Sequence, residues 1–185
     1  NCQYISEMKN TDALTIFNSL QQNLDWDDIY QSMLPDLFNY FLYRTRDEKI
    51  AQDLSSITFE RAWSNKLRYR SDLASVKSWM FGIARNVFKE YLREHRNNTS
   101  RLVPMDPENS QSDHFDRNKL DTRILLKHLI AMLPEKEQEL VALRYGAGLN
   151  NREIAKLLHL SESNVGTRLF RIVQSLRKKM EVDNE

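Results

Sequence analysis

An apolar repeat with helical spacing is the feature that most restricts the fold of this 185-residue chain. The clearest repeat returns every three or four residues for about four turns and consists of Val76, Trp79, Met80, Ile83, Ala84, Val87 and Tyr91. Shorter repeats begin at Ala13, Tyr30 and Ala51. Only four glycines and four prolines interrupt the chain, and strong helix formers dominate. The sequence therefore predicts an all-α protein.

A polar stretch divides the helical repeats into two blocks. Residues 98–118 contain Pro104 and Pro107 among polar side chains without an apolar period, which is typical of a flexible linker. Between residues 106 and 116 this linker is acidic and carries no lysine or arginine, which fits either a solvated tether or a segment with its own binding role. The predicted segments are an N-terminal extension (1–28), a helical domain (29–97), the linker (98–118) and a smaller helical domain (119–185).

Charge is segregated along the chain, although the net charge is only +1. Residues 1–28 carry five acidic residues and one lysine, whereas residues 161–180 carry five basic residues and one glutamate. A basic helix of this kind favours a polyanionic partner. The single cysteine excludes an internal disulfide, and the scattered histidines show no metal-ligand spacing. No apolar run approaches the ~20 residues of a membrane helix, so we expect no membrane insertion. We also expect a cytoplasmic protein that binds no metal and no cofactor.

The most specific local signal lies between Leu149 and Leu176. Asn150 followed by Glu153 resembles a capping box at the start of a short helix. A turn is predicted at residues 159–160, and Ser161 can cap the longer basic helix that follows. A short helix, a tight turn and a longer basic helix together predict a helix-turn-helix in the second domain.

The second helix of this unit has an outer face suited to DNA. With Val165 and Leu169 buried, its polar and basic side chains would enter the major groove. The residues expected to contact duplex DNA are Ser161, Ser163, Asn164, Thr167, Arg168 and Arg171, with Asn150 and Arg152 as phosphate contacts at the preceding helix. The basic residues 177–179 lie too far along this helix to contact base edges and would contact phosphates or solvent. An amphipathic hairpin with a solvated charged face remains the alternative.

Two blocks of the sequence are similar to conserved regions of bacterial sigma factors. The fourth region resembles residues 133–145, 148–149, 153–155 and Val165 with 168–169. The second region resembles residues 51–54, 58–63 and 79–86. The two blocks stand in the family's order, joined by a variable linker without a third domain, which is typical of the extracytoplasmic-function group. The resemblance covers residues 29–97 and 120–178.

The resemblance implies a transcription initiation factor that binds core RNA polymerase and directs promoter recognition and opening. The helix that contains Asp53 and Arg61 would dock through these two residues on the clamp helices of the largest polymerase subunit, while Trp63 supports the fold. The family usually has a glutamine and an acidic residue where Ser56 and Ile57 stand, so the polar docking surface is weakened. The resemblance also admits an anti-sigma factor as a further partner.

The resemblance further implies a site for the melted minus-ten element of promoter DNA. The loop at residues 66–75 and Asn86 would capture a flipped base, with Tyr69 stacking on a base and Trp79 in the core. The expected contacts are Arg68, Tyr69, Arg70, Lys77, Arg85, Asn86 and Lys89. The family often has lysine where Gly166 stands, which implies different contacts to the minus-thirty-five element.

Other classes of function remain open on the residues alone. A conventional helix-turn-helix regulator, which binds duplex DNA without being a polymerase subunit, would explain the second domain but not residues 53–63 and 79–86. An adaptor that titrates another regulator would not melt promoters. An enzyme is least favoured, because the sequence presents no nucleophile–histidine pattern, glycine-rich phosphate loop or carboxylate–histidine cluster.

Overall fold

The computed structural model describes residues 25–98 and 117–182 of the chain. The α-helices within these ranges are α1 (Trp26–Thr45), α2 (Glu48–Ser64), α3 (Val76–Asn98), α4 (Arg117–Ala131), α5 (Glu135–Val141), α6 (Asn151–Leu158) and α7 (Glu162–Val182). A 3-10 turn (Lys66–Arg68) follows α2, and a π turn (Ala142–Gly146) extends α5. Neither range contains a strand, so the all-α prediction is confirmed. The apolar stripe that begins at Ala13 lies outside the described residues.

Aspartate side chains fix where the first two helices begin. The Asp25 carboxylate accepts hydrogen bonds from the backbone N–H groups of Asp27 and Asp28, at 3.0 and 3.3 Å. The Asp47 carboxylate accepts one from the N–H of Ile50 at 3.0 Å. The first turn of a helix leaves these N–H groups without an internal partner, so each cap stabilises the start of its helix. The connection between α1 and α2 consists of Arg46 and Asp47 alone.

The N-terminal domain, α1–α3, is built around the predicted apolar repeat of α3. Met80, Phe81 and Ala84 are completely buried, and α2 lies against both α1 and α3. The Tyr40 ring on α1 meets the Phe81 ring edge-on, with centroids 5.5 Å apart. Trp79 is partly buried and packs on this core, as the periodicity predicted.

The C-terminal domain, α4–α7, has its own apolar centre. The π turn and the loop after it bury Leu143 and Leu149, α6 buries Ile154, and α7 buries Val165. Helices α4 and α5 pack against α7. This arrangement gives the small helix α6 a fixed position beside α7, which is the geometry that a helix-turn-helix requires.

The two domains share one continuous core, which the sequence does not predict. Helix α1 packs directly on the π turn, and α3 packs on α6. The backbones come close together at Gly146, where an added Cβ would lie 3.0 Å from the Tyr40 Cα and 3.1 Å from the Asn39 carbonyl oxygen. The domain limits themselves stay a prediction, because most of the linker lies outside the described residues.

We expect Gly146→Ala to lower the free energy of unfolding by about 1–3 kcal/mol, because the new methyl group meets backbone atoms that cannot rotate away. Gly82→Ala is the matched control, since a Cβ there lies an ordinary 3.8 Å from the Leu157 Cδ1. That change should be neutral or stabilise α3 by up to ~1 kcal/mol through helix propensity. Urea denaturation measures both, and equal effects would contradict the close approach of the π turn to α1.

Candidate nucleic-acid interface

Helix α6 begins with the predicted capping box. The Asn150 side-chain oxygen accepts a hydrogen bond from the backbone N–H of Glu153 at 2.9 Å. The Glu153 carboxylate accepts one in return from the N–H of Asn150, also at 2.9 Å. The two bonds satisfy two N–H groups at the start of the helix and fix its direction. The predicted start of the helix-turn-helix is confirmed.

The turn between α6 and α7 is as short as the sequence predicts. His159 adopts a left-handed backbone conformation, with φ 56° and ψ 44°, and ends α6. The N–H of Leu160 then donates to the Ala155 carbonyl oxygen at 2.9 Å. The Ser161 hydroxyl accepts a hydrogen bond from the N–H of Asn164 at 3.2 Å and caps α7. Helix α7 therefore leaves the turn at a fixed angle to α6.

The predicted minus-thirty-five residues all lie on accessible surface. Helix α7 buries Val165, Leu169, Ile172 and Leu176. The residues predicted to contact duplex DNA are all exposed: Asn150, Arg152, Ser161, Ser163, Asn164, Thr167, Arg168 and Arg171. The two helices thus present polar and basic groups together, in the arrangement that lets a helix enter the major groove.

Gly166 does not lie on that outer face. It turns toward α6, where an added Cβ would be 3.4 Å from the side-chain nitrogen of Asn151. A lysine at this position would therefore have to extend past the Asn151 amide before reaching DNA. The absence of this cation changes one flank of α7 and leaves its outer face intact.

An exposed aromatic side chain on α7 is not evident from the sequence. Phe170 is 65% exposed, and together with the half-exposed Tyr145 it lines a shallow groove beside Gly166. The sequence signal is ambiguous, because an apolar residue next to Leu169 in an amphipathic helix is ordinarily assigned to the buried face.

The loop after α2 presents its basic side chains but not its tyrosine. Arg68 and Arg70 are exposed, and the hydrogen bond from Arg70 lowers the pKa of the Asp72 carboxyl. Tyr69 is only 7% exposed. Its hydroxyl donates to the Ala74 carbonyl oxygen at 3.1 Å, and its ring centroid lies 5.2 Å from that of Trp79. In this conformation the Tyr69 ring packs on the protein, and a base would stack on it only after the loop rearranges.

The predicted minus-ten residues of α3 fall into an exposed set and a set that is hydrogen-bonded within the protein. Asn86 and Lys89 are exposed. The Lys77 ammonium group donates to the Asp36 carboxylate at 2.6 Å. Arg85 is held by the C-terminal domain through Glu139 and Leu157. The structure therefore does not bring all seven predicted minus-ten residues to one open surface.

Helix α2 carries the residues predicted to contact polymerase. Asp53 is exposed, and so are Ser56 and Ile57, where the sequence departs from the family. The Arg61 guanidinium pairs with the Glu90 carboxylate at 2.6 Å, with side chains 42% and 46% exposed. An ion pair this accessible is weak and exchanges readily with a partner's charges.

Trp63 is less buried than the sequence predicts for a residue that supports the fold. It is 52% exposed, although its ring meets the Trp26 ring edge-on with centroids 5.3 Å apart. The Lys66 ammonium group lies 3.4 Å from the Trp63 ring centroid. These contacts hold the indole in place at the surface, because a cation over an aromatic face is attracted by the ring quadrupole.

Two other kinds of site are absent from the residues that the structure describes. Across residues 25–98 and 117–182, no three His, Cys, Asp or Glu side chains are grouped so that they could hold a metal ion. In the same part of the chain, no helix is both long enough and apolar enough to cross a membrane.

Comparison with known proteins agrees with this geometry. The family described as Sigma-70 region 2 matches residues 29–98, and Sigma-70, region 4 matches residues 123–176. The chain is 30% identical over 154 residues to the ECF RNA polymerase sigma factor SigM of Bacillus subtilis, covering 82% of this chain and 92% of that protein. It is 26% identical over 165 residues to SigX of the same organism, covering 85% and 84%.

A solved structure shows the same fold. The sigma factor RpoE, crystallised with the anti-sigma factor NepR from Bartonella quintana, superposes with a TM-score of 0.69 at 19% identity. That match covers 86% of this chain and 98% of RpoE.

These matches define a sigma factor built from sigma-70 regions 2 and 4. The chain belongs to the extracytoplasmic-function (ECF) RNA polymerase sigma factors. It is therefore a transcription initiation factor that binds core RNA polymerase and directs it to promoters, and a conventional regulator acting without polymerase is not favoured.

Proposed function

We propose that the C-terminal domain recognises duplex DNA at the minus-thirty-five element through α7, while the start of α6 contacts backbone phosphates. The proposal rests on one observation. All eight residues predicted to contact duplex DNA are exposed, and they lie on the two helices of the helix-turn-helix or cap them. Residues in the first turns of such a helix reach base edges, and the first turns of α7 supply Ser163, Asn164, Thr167 and Arg168.

The N-terminal domain is proposed to hold the melted minus-ten strand while the chain is bound to polymerase. Asn86 lies exposed on α3 and offers an amide that can pair with a base edge. Arg68, Arg70 and Lys89 are exposed as well and supply cations for the phosphate backbone. Tyr69, Lys77 and Arg85 are proposed to join this surface on rearrangement.

Polymerase docking is proposed for the exposed side of α2. Asp53 offers a carboxylate, and Arg61 can exchange Glu90 for a carboxylate of the partner. Ile57 is 36% exposed between them, so this chain replaces part of the family's polar contact by an apolar one. Burial of that isoleucine would contribute at about 25 cal/mol per Å² of area removed from water.

Catalysis is proposed to belong entirely to the polymerase, so that this chain is a non-enzymatic subunit. Because its template and its polymerase partner are in the cytoplasm, we propose that it acts there. An anti-sigma factor is proposed as a further partner, since the RpoE structure contains one. The acidic linker segment has no assigned part in these contacts.

Transcription with purified core polymerase tests the proposal. Core polymerase from the same organism is incubated with a genomic-fragment library, with and without the full-length protein, and new transcripts are sequenced. We expect transcripts with shared upstream sequences at two elements of fixed separation. Active core polymerase that gives neither new transcripts nor binding to this protein would overturn the proposal.

Asn86→Ala is expected to reduce transcription from such a promoter about tenfold, because one base-edge contact is lost. Binding to core polymerase should be unchanged, since Asn86 lies outside the proposed docking surface on α2. Glu94→Gln is the matched control, because Glu94 is exposed on the same helix but lies outside the proposed site. Unchanged transcription by Asn86→Ala would remove this residue from the minus-ten site.

A further inference from the structure

Arg44 on α1 is a buried cation whose hydrogen-bonding capacity the protein does not use up. Its side chain is 4% exposed, and its Nη1 donates to the Glu135 carbonyl oxygen of α5 at 3.0 Å. Its guanidinium carbon lies 4.4 Å from the centroid of the Phe88 ring on α3. Among the buried side-chain nitrogen and oxygen atoms of the described residues, the Arg44 Nε is the one without a hydrogen-bond partner. An unpaired buried donor costs free energy, so this edge of the guanidinium favours an added acceptor.

The unpaired Nε–H is one half of a fork that suits an oxyanion. The Nε–H and Nη2–H groups of a guanidinium point the same way and can donate together to two oxygens of one carboxylate or phosphate. Arg70 shows this geometry, donating from Nε and Nη2 to the two Asp72 carboxylate oxygens at 3.2 and 2.7 Å. At Arg44 the paired carboxylate is that of Glu135, but its Oε1 lies 3.7 Å from Nη2 and its side chain is 70% exposed. The fork of Arg44 is therefore only loosely occupied.

Arg44 lines a groove that is formed by α1, α3 and α5. The other lining residues are Phe88, Leu92, Glu135 and Gln138, and the groove has a volume of about 270 Å³. Sites for small ligands begin at about 300 Å³ and combine apolar walls with a few polar groups. Phe88 and Leu92 supply apolar surface here, whereas Arg44 and Gln138 supply polar groups. The groove therefore has the composition of a site for a small ligand.

A second arginine adds positive charge beside the groove. The Arg46 Nη2 donates to the Gln138 Oε1 at 3.4 Å, which is a long and therefore weak bond. Gln138 is itself fixed, because its Nε2 donates to the Ala131 and Leu133 carbonyl oxygens at 3.0 and 2.8 Å. Burial, followed by the charge of Arg44, lowers the pKa of Arg46, so this guanidinium is short of compensating negative charge. Two guanidinium groups thus share a single, loosely held carboxylate.

We propose that this groove binds a small ligand that carries a phosphate group, which displaces the Glu135 carboxylate and accepts hydrogen bonds from the Nε and Nη2 of Arg44. Arg46 donates from the rim, and Phe88 and Leu92 contact the rest of the ligand. A phosphate monoester is favoured over a carboxylate, because its charge and its three terminal oxygens match two guanidinium groups. The site uses none of the residues proposed to contact promoter DNA or polymerase, so it does not depend on those proposals.

Nuclear magnetic resonance of the full-length chain tests the site, with inorganic phosphate as the probe. The protein is labelled with nitrogen-15, and sodium phosphate is added at an ionic strength held constant with sodium chloride. We expect the Arg44 Nε–H and the Gln138 side-chain amide to shift with a common dissociation constant on the order of 1 mM. The Arg70 Nε–H, which is already paired with Asp72, should not shift. No shift at Arg44, or an equal shift with sodium chloride alone, overturns the proposal.

Two carboxylate variants test the displacement of Glu135. Glu135→Gln removes the competing charge and should tighten phosphate binding about fivefold. Glu137→Gln removes a charge from the same helix at a residue that does not line the groove, and its dissociation constant should stay within about twofold of the unchanged chain. Equal effects of the two variants would show general electrostatic attraction and would overturn the site.

Arginine variants test the donors. Arg46→Gln should weaken phosphate binding about tenfold, the effect of losing one hydrogen bond from a charged group. Arg46 is exposed, so this variant should remain folded, and Lys49→Gln at an exposed position of α2 is the control for the loss of a charge. Arg44→Lys keeps the buried charge without the fork and should abolish binding. Unchanged binding in Arg46→Gln contradicts the site even if Arg44→Lys does not fold.

A single-stranded oligonucleotide of random sequence distinguishes a free ligand from a nucleic-acid backbone. Since Arg44 lies outside the proposed DNA surfaces, the oligonucleotide should neither shift the Arg44 Nε–H nor compete with inorganic phosphate for it. If the oligonucleotide shifts this resonance and inorganic phosphate does not, the groove contacts nucleic acid and the small-ligand proposal fails. The proposed contacts of α7 with the minus-thirty-five element would be unaffected by that outcome.

Discussion

Phe81→Ala is expected to lower the free energy of unfolding by about 3–5 kcal/mol, the cost of truncating a fully buried aromatic side chain. The loss should affect both domains. Phe81 is completely buried, its ring meets Tyr40, and the Tyr40 backbone lies against Gly146 of the C-terminal domain. A cavity at Phe81 therefore weakens the support of the π turn as well as the core of α1–α3.

Urea denaturation followed by two probes measures this coupling. All three tryptophans, Trp26, Trp63 and Trp79, lie in the N-terminal domain, so their fluorescence reports on that domain. Amide hydrogen exchange at Leu143 and Ile154 reports on the C-terminal core. We expect both probes to shift together in Phe81→Ala. Because a loss of this size is a large fraction of the stability of a small protein, the shift should be unmistakable.

Phe170→Ala is the matched control, since the same side chain is removed where it is 65% exposed. Its effect on stability should stay within ~0.5 kcal/mol. A shift of the tryptophan signal in Phe81→Ala, with unchanged exchange at Leu143 and Ile154, would show that the two cores unfold independently and would contradict the shared core.

Helices and caps were predictable because their causes are local. The capping box joins Asn150 and Glu153, which are three residues apart, and the cap at Ser161 reaches only to Asn164. The apolar repeat of α3 likewise encodes its buried face within a few turns. Features of this kind need no knowledge of the partner element, so the helix-turn-helix and the polar residues of its exposed face could be predicted from the sequence.

The junction between the domains could not be predicted, because its contacts are distant in sequence and chemically ordinary. Arg85 and Glu139 are 54 residues apart, and Arg44 reaches Glu135 across 91. Each of these residues is a charged side chain on an amphipathic helix, and such residues normally face solvent. Their roles arise only when α1 and α3 meet the C-terminal domain.

The loop residue Tyr69 illustrates the same limit within one domain. An aromatic residue between two arginines predicts that its ring stacks on a nucleic-acid base. Its ring packs against Trp79 instead, and its hydroxyl bonds the Ala74 carbonyl, so that burial raises the pKa of its phenol. The composition of the loop predicts what Tyr69 can do, whereas packing decides what it does in this conformation.

Arg168→Ala should cost about 100-fold in affinity for a cognate minus-thirty-five element, because a guanidinium can bond two acceptors of one guanine. Arg168 is exposed in the second turn of α7, whose buried face carries Val165 and Leu169. The measurement is fluorescence anisotropy of polymerase holoenzyme on the promoter and on a matched duplex with a scrambled minus-thirty-five element. The variant should lose most of the difference between the two duplexes.

Arg177→Ala distinguishes the recognition of bases from the electrostatic attraction between α7 and DNA phosphates. Arg177 is exposed on the same helix, more than two turns beyond Arg168, where it can reach phosphates but not base edges. Its removal should weaken binding to both duplexes equally and reduce the slope of log affinity against log salt by about 1. Arg168→Ala should instead change the ratio of the two affinities. Equal weakening of both duplexes by Arg168→Ala would move base reading to other residues of α7 and leave Arg168 as a phosphate contact.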